Sequence, residues 1–386
     1  MNICILGWYG TETLGDRAIL DGIIYIFTAI ESNIRISIGS LYPIVTERTI
    51  FEDINIYRSH TGFIDVTIFD VKNKKDLHEA IEQAHFVIMG GGPLMDLIEL
   101  YIIQHAFKYA KKLGKTTALM GCGYGPLKKK EYIRCVRNII HSSDLIVMRS
   151  ESCKENILSL CDKDDIHKVF SSIDPAAISV IEYLRRFYPL KIDNRKSKHN
   201  SGWLMNIRDL DYVYNTQDYY YPRIRLIVNS IASQVPQLYL FPMHTFSIGG
   251  DDRYIENRIA QDLKLENISV VQKPLSLQDA YDAIYYADGC IGMRYHSILF
   301  QTYLNGNNYI IDYTDSREGK IKRFLDTIDT NHFYENRYVN ILDENEIFSN
   351  LNIIKTQDRY SFDESYEQSS LLLYKNVIEM AGKRSL

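Results

Sequence analysis

Apolar and polar positions change their period repeatedly along the first half of the chain. Short apolar runs at residues 3–6, 34–38, 66–69, 86–89, 117–120 and 145–148 read as strands. Segments 16–29, 75–84 and 97–113, which lie between such runs, place their apolar residues at helical spacing. Strands that are apolar throughout and separated by helices predict a parallel sheet covered on both faces. Residues 187–201 read FYPLKIDNRKSKHNS, and their Pro, Asn, Lys and Ser content predicts a linker. A second series follows, with strands at 203–207, 237–241, 268–271, 289–292 and 309–312 and helices at 224–234, 253–263, 277–286 and 296–304. The expected fold is α/β: two Rossmann-like domains facing across a cleft, residues 1–186 and 202–340. Residues 341–386 form an extension whose helical stretch, near 364–383, is expected to pack back on the first domain. No short-period repeat is present, which excludes solenoids and propellers.

Composition narrows the function classes. Of 386 residues, 46% are hydrophobic and 24% charged, enough apolar material for a sizeable core. The formal net charge of −5 excludes a basic footprint for nucleic acid or a polybasic membrane surface. No window approaches the roughly 18 consecutive apolar residues of a membrane helix, and MNICILGWYG lacks the basic start of a secretion signal. The six cysteines are scattered, which argues against a zinc site or a disulfide framework. Together these predict a cytoplasmic protein. Tyrosine is abundant, 29 residues against 2 tryptophans.

In open α/β sheets ligands bind outside the carboxyl ends of the strands, so polar residues just after a strand carry most weight. Gly7-Trp8-Tyr9-Gly10, continuing to Gly15-Asp16, offers backbone amides and a helix N-terminus to an anion; taken alone, a tight turn with Asp16 as cap fits slightly better. Gly90-Gly91-Gly92 and Gly121-Cys122-Gly123-Tyr124-Gly125 follow later strands in the same way. Three glycine segments at strand ends of one sheet favour a ligand-facing rim. A fourth segment, Gly292-Met293-Arg294-Tyr295-His296-Ser297, offers a forked permanent cation in Arg294 and a proton-exchanging imidazole in His296. Arg208 and His244 follow strands 203–207 and 237–241, where functional and solvated-loop readings are evenly matched. The acidic pairs Asp209/Asp211 and Asp162/Asp164 read as solvated loops rather than metal ligands. Tyr212, Tyr214, Tyr219, Tyr220 and Tyr221 suit stacking on sugar rings or simple packing, and both readings stay open.

Six segments, in order, are GWYGTETLGDRAIL, FVIMGGGPLMD, MGCGYGPL, MRSESCKENI, IDPA and GMRYHSILFQTYLNG. Their order and spacing resemble the polysaccharide pyruvyltransferase family from the first strand to about residue 325. The resemblance implies a GT-B-like pair of Rossmann domains. It implies transfer of pyruvate from phosphoenolpyruvate to two sugar hydroxyls as a cyclic ketal, with phosphate released, in cell-wall, capsule or exopolysaccharide assembly. It implies donor binding and acid/base work at Arg294 and His296, with Arg208 a further donor contact. Substrate contacts are expected at Gly10, Gly15, Asp16, Gly91, Gly92, Gly123, His244 and Ser297, the glycines on the acceptor side. Phosphoenolpyruvate is then a substrate, and neither cofactor nor metal is expected. Expected partners are a sugar, glycan or lipid-linked glycan acceptor and a peripheral membrane assembly complex, with no nucleic acid; oligomeric state stays open. Thr13 and Arg17 depart from the family, which usually has Asn and an acidic residue there. Two other readings stand beside this one. The first is a GT-B glycosyltransferase binding a nucleotide sugar, its ribose held by Asp312 or Asp315. The second is a non-catalytic two-domain binding protein.

Overall fold

The computed structural model describes residues 1–11, 13–61, 65–188, 202–246, 248–315, 319–343, 358–362 and 364–383. The segment read as a linker therefore lies, from residue 189 onward, outside the described residues, as do residues 344–357 of the extension. The chain divides into two compact units. One comprises Met1–Glu12, Asp16–Ser179 and Asp363–Leu386, the other Thr13–Gly15 and Val180–Phe362.

The first unit contains β1 (Asn2–Leu6), α1 (Leu14–Thr28), β2 (Arg35–Ser40), α2 (Pro43–Glu52), α3 (Ile54–Thr61), β3 (Asp65–Asp70), α4 (Lys74–Gln83) and β4 (Phe86–Gly90). It continues with β5 (Pro93–Leu94), α5 (Leu100–Lys112), β6 (Thr116–Tyr124), α6 (Lys130–Ser142), β7 (Leu145–Met148), α7 (Glu151–Leu158) and β8 (Val169–Ser171). The strands pair in the order β3-β2-β1-β4-β6-β7-β8, with β5 beside β6, and every pairing is parallel. The apolar runs form this sheet because helices cover both its faces. Ile5, Val87, Ile88 and Leu119 are wholly buried, each such side chain contributing about 1.5–3 kcal/mol. Cys4 and Cys122 lie in the same core, where burial pushes their thiols up to about 12. None of the six cysteines is in a disulfide. The helix Glu364–Lys383 belongs to this unit: Tyr374 is fully buried and its Oη donates to Ile173 O at 2.9 Å.

Two local features differ from the sequence reading. Strand β6 runs on through Gly121 and Gly123 instead of ending before them. Its register shifts between Met120 and Cys122, where Gly121 takes φ +66°, the geometry of a β-bulge. The third glycine segment is thus largely strand rather than loop, because a bulge lets a glycine pair keep the ladder while bending it. Arg17 is buried on α1, with Nε 2.6 Å and Nη2 2.7 Å from the two carboxylate oxygens of Asp53, which lies between α2 and α3. The departure from the family pattern at Arg17 therefore fastens α1 to the α2–α3 corner.

In the second unit, β9 (Trp203–Met205), α9 (Leu210–Tyr214), α10 (Tyr221–Ala232), β10 (Leu238–Leu240), α11 (Asp252–Leu263), β11 (Ile268–Val270) and α12 (Leu277–Tyr286) come first. They are followed by β12 (Gly289–Gly292), α13 (Tyr295–Leu304), β13 (Asn308–Asp312), α14 (Lys320–Ile328) and β14 (Tyr338–Asn340). The sheet is again all parallel, in the order β11-β10-β9-β12-β13-β14. In each unit the strand order reverses beside the unit's first strand, so the switch points lie between β1 and β4 and between β9 and β12. Along the chain, the division between the units falls within helix α8 (Pro175–Phe187). No helix among the described residues is long and apolar enough to cross a membrane.

Candidate active site

The segments that follow β9, β12 and β13 carry the second unit's polar groups, as the switch-point rule requires. Arg294 is the N-cap residue of α13, and its backbone N–H donates to Asn206 Oδ1 at 3.0 Å. Its guanidinium is not a free cation. Nε lies 2.9 and 2.8 Å from the two oxygens of Asp252, and Nη2 lies 2.5 Å from Asp252 Oδ1 and 3.2 Å from Gly250 O. Asp252, 1% exposed at the start of α11, also accepts from the backbone N–H groups of Met243 and His244 and from Asn206 Nδ2. Although burial opposes the charge, Asp252 beside it holds Arg294 above the ordinary arginine value. One turn further along α11, Glu256 is fully buried, with the backbone N–H of Ile207 beside its carboxyl. Burial, reinforced by the charge of Asp252, keeps this carboxyl well above the usual range and hence neutral. Asp252 is therefore the carboxylate that pairs with Arg294.

Arg208 follows β9 and is half-buried. Its Nη1 donates to Tyr313 Oη at 2.6 Å, while Nε is buried with no acceptor among the described residues. Lys320 opens α14 with its Nζ 5.8 Å from the Tyr313 ring centroid. His296, half-buried in the first turn of α13, sets its ring edge-on to Tyr295 at 5.0 Å. Gly15, which counts with this unit, lies so close to His296 that a Cβ there would sit 2.0 Å from Nδ1.

His244 is buried and its Nε2 is 2.7 Å from Ile248 O. A carbonyl only accepts, so Nε2 carries the hydrogen and Nδ1 is left as a lone pair, with no partner among the described residues. Burial, then the charge of Arg294, lowers its pKa below the ordinary 6.5. The unfolded chain thus takes up a proton at His244 before the folded chain does. Stability from this residue is complete above about pH 6.5 and declines as pH falls below it. Urea midpoints between about pH 7 and 5 are expected to fall less steeply in His244→Gln than in the wild type.

The remaining sequence candidates fall into different roles. Ser297 is wholly buried and accepts from Gln301 Nε2 at 2.8 Å, so its hydroxyl braces α13 instead of facing a ligand. Asp16 is half-buried in the first turn of α1. Gly10 packs where a Cβ would lie 2.6 Å from Ser40 Oγ, and Gly91 sits against Ile19. Gly92, at φ +74°, lies under the Trp8 indole, with room for no side chain. A small pocket adjoins the ends of β1 and β4, bordered by Trp8, Met89, Ile102 and Glu99. A Cβ on Gly123 would meet the guanidinium of Arg149, which is paired with Asp174.

Asp209 caps α9, and Asp211 accepts from Thr216 and from the backbone N–H groups of Tyr219, Tyr220 and Tyr221. The first acidic pair thus shapes the tyrosine loop. Among the described residues no group of three or more His, Cys, Asp or Glu is placed to hold a metal. Asn206, Asp252, Glu256, Tyr313 and Lys320 were not singled out from the sequence. Tyr313 alone had a usable signal, since it directly follows the run 309–312.

The two parallel sheets and their switch points define a GT-B class of fold. Solved structures of the same architecture include the UDP-GlcNAc 2-epimerase of Methanocaldococcus jannaschii in complex with UDP-GlcNAc and UDP: TM-score 0.61, 12% identity, 98% of this chain and 99% of that one covered. The UDP-N-acetylglucosamine 2-epimerase of Rickettsia bellii gives TM-score 0.61 at 10% identity, covering 100% and 97%. An alpha-glucosyltransferase in complex with UDP and DNA gives TM-score 0.50 at 11% identity, covering 100% and 95%. No curated protein matches the chain in sequence. A model of the family Polysaccharide pyruvyl transferase matches residues 14–316, and the chain belongs to that family.

Proposed function

We propose that the protein transfers the pyruvyl group of phosphoenolpyruvate to two hydroxyls of a sugar, in a cell-surface glycan or its cytoplasmic precursor, forming a cyclic ketal and releasing phosphate. The observation that carries this reading is the placing of Arg208, Lys320 and His296 in the segments after β9, β13 and β12 of one sheet. A donor with a carboxylate and a phosphate needs cations, and Arg208, whose buried Nε has no acceptor among the described residues, and Lys320 supply them. Arg294, paired with Asp252, orients the start of α13 and through it His296. His296 protonates C3 of the donor, which makes C2 electrophilic toward a sugar hydroxyl.

The structural neighbours named for UDP complexes raise the nucleotide-sugar reading. Asp312, one of two carboxylates considered for a ribose, has both oxygens engaged, by Thr314 and by Tyr338 Oη. Calorimetry with phosphoenolpyruvate and with UDP-GlcNAc decides between the two. Binding of the first alone, with phosphate released in the presence of lipid-linked or nitrophenyl glycosides and a ketal seen by mass spectrometry, is the expected result. Binding of UDP-GlcNAc alone overturns the proposal.

A further inference from the structure

The transfer read above needs two proton carriers in opposite starting states. C3 of phosphoenolpyruvate gains a proton while the first sugar hydroxyl loses one, and one imidazole cannot serve both at once. Tyr313, directly after β13, is 3% exposed, and its Oη accepts the 2.6 Å hydrogen bond from Arg208 Nη1. The Arg208 guanidinium lies 5.5 Å and Lys320 Nζ 5.8 Å from its ring centroid. Arg294 adds a third positive charge. Two other groups adjoin it: Tyr214, whose Oη donates to Tyr313 O, and Asp312, already engaged by Thr314 and Tyr338. A phenol that accepts from a guanidinium among three cations is arranged for its ionised form. Burial pushes the phenol up, but Lys320, Arg208 and Arg294 outweigh burial and bring it down to about 8. The buried Nε of Arg208 belongs to the same guanidinium, so an anion bound there is held by the group that holds the phenol oxygen.

We propose that Tyr313 is a second catalytic residue of the transfer, a base toward the attacking sugar hydroxyl and an acid toward the departing phosphate; this rests on the reaction read above. In the first half, His296 gives its proton to C3, the first hydroxyl oxygen bonds to C2, and the phenolate of Tyr313 takes that hydroxyl's proton. In the second half, the C2–O bond to phosphate breaks and Tyr313 returns the proton to the phosphate oxygen. The second hydroxyl then closes the ring on C2 and yields its proton to neutral His296. Both residues end as they began, and the products are the ketal and hydrogen phosphate.

The test uses the full chain and the variant Tyr313→Phe. Ultraviolet titration of the protein without substrate, across about pH 6–10, is expected to show one tyrosine ionising near 8, below the ordinary value of about 10, and absent from Tyr313→Phe. Arg208→Gln, which keeps the phenol, is expected to move that titration upward. In turnover with phosphoenolpyruvate, Tyr313→Phe is expected to lose about 10²-fold in kcat and to change the pH profile of kcat/KM, with the calorimetric Kd for phosphoenolpyruvate unchanged. No tyrosine ionising below the ordinary range, or the same early ionisation in Tyr313→Phe, overturns the proposal. An early-ionising tyrosine together with full activity in Tyr313→Phe removes the catalytic role alone. No phosphoenolpyruvate turnover by the wild type removes the reaction and the role together, while the substrate-free titration still reports the phenol.

Discussion

Replacement of His296 by alanine is expected to lower kcat by about 10²–10⁴-fold, the range that a positioned proton-transfer group contributes. The loss should fall on turnover with little change in phosphoenolpyruvate affinity, because in the proposed reaction the donor's anionic groups are assigned to Arg208 and Lys320. The fold should survive. The imidazole is half-buried at the start of α13, and the helix is anchored independently by the Arg294 N–H on Asn206 and by its wholly buried residues Phe300 and Gln301. Phosphate release under saturating donor, read beside the thermal transition, checks this. Wild-type activity in a folded His296→Ala would remove the imidazole from the reaction.

Asp252→Ala is expected to cost about 3–5 kcal/mol of stability, the usual consequence of stranding one half of a buried ion pair. Asp252 is 1% exposed and the Arg294 side chain 16% exposed, so water does not replace the lost partner fully. The variant also strips acceptors from the Met243 and His244 N–H groups and from Asn206. Neutral Glu256 cannot take over without giving up its proton in the same buried place. Urea denaturation of Asp252→Ala, Arg294→Met and the double variant measures the pair. The double variant is expected to be more stable than Asp252→Ala, because removing both charges leaves neither uncompensated. Additive losses would show that the two residues act separately.

The alternation of apolar runs and helical segments was enough to read two parallel α/β units, since strands buried on both faces leave an unmistakable apolar signature. Positions after strands led to Arg208, Arg294 and His296 for the same reason. Other features depend on residues far apart in sequence. Asp252 lies 42 positions before Arg294, and nothing in the local pattern distinguishes it from a surface acid opening a helix. Glycine was ambiguous because it marks both loops and bulges: Gly121 and Gly123 proved to belong to β6, whose pairing partners are not encoded nearby. Tyr313 was hidden by abundance, as one of 29 tyrosines, of which Tyr57, Tyr281, Tyr334 and Tyr374 are core residues. Its distinction comes from three cations that converge only after folding.

The pairing of Arg17 with Asp53 constrains how this protein can be recombined with its relatives. A chimaera that exchanged only the segment from β1 into α1, in search of a new acceptor preference, would put the family's acidic residue opposite Asp53. Three carboxylates, counting Glu52, would then share a corner that one guanidinium now serves. The heritable block is therefore longer than the glycine-rich loop. It extends through α3, and exchanges cut after residue 61 carry their own counter-charge with them.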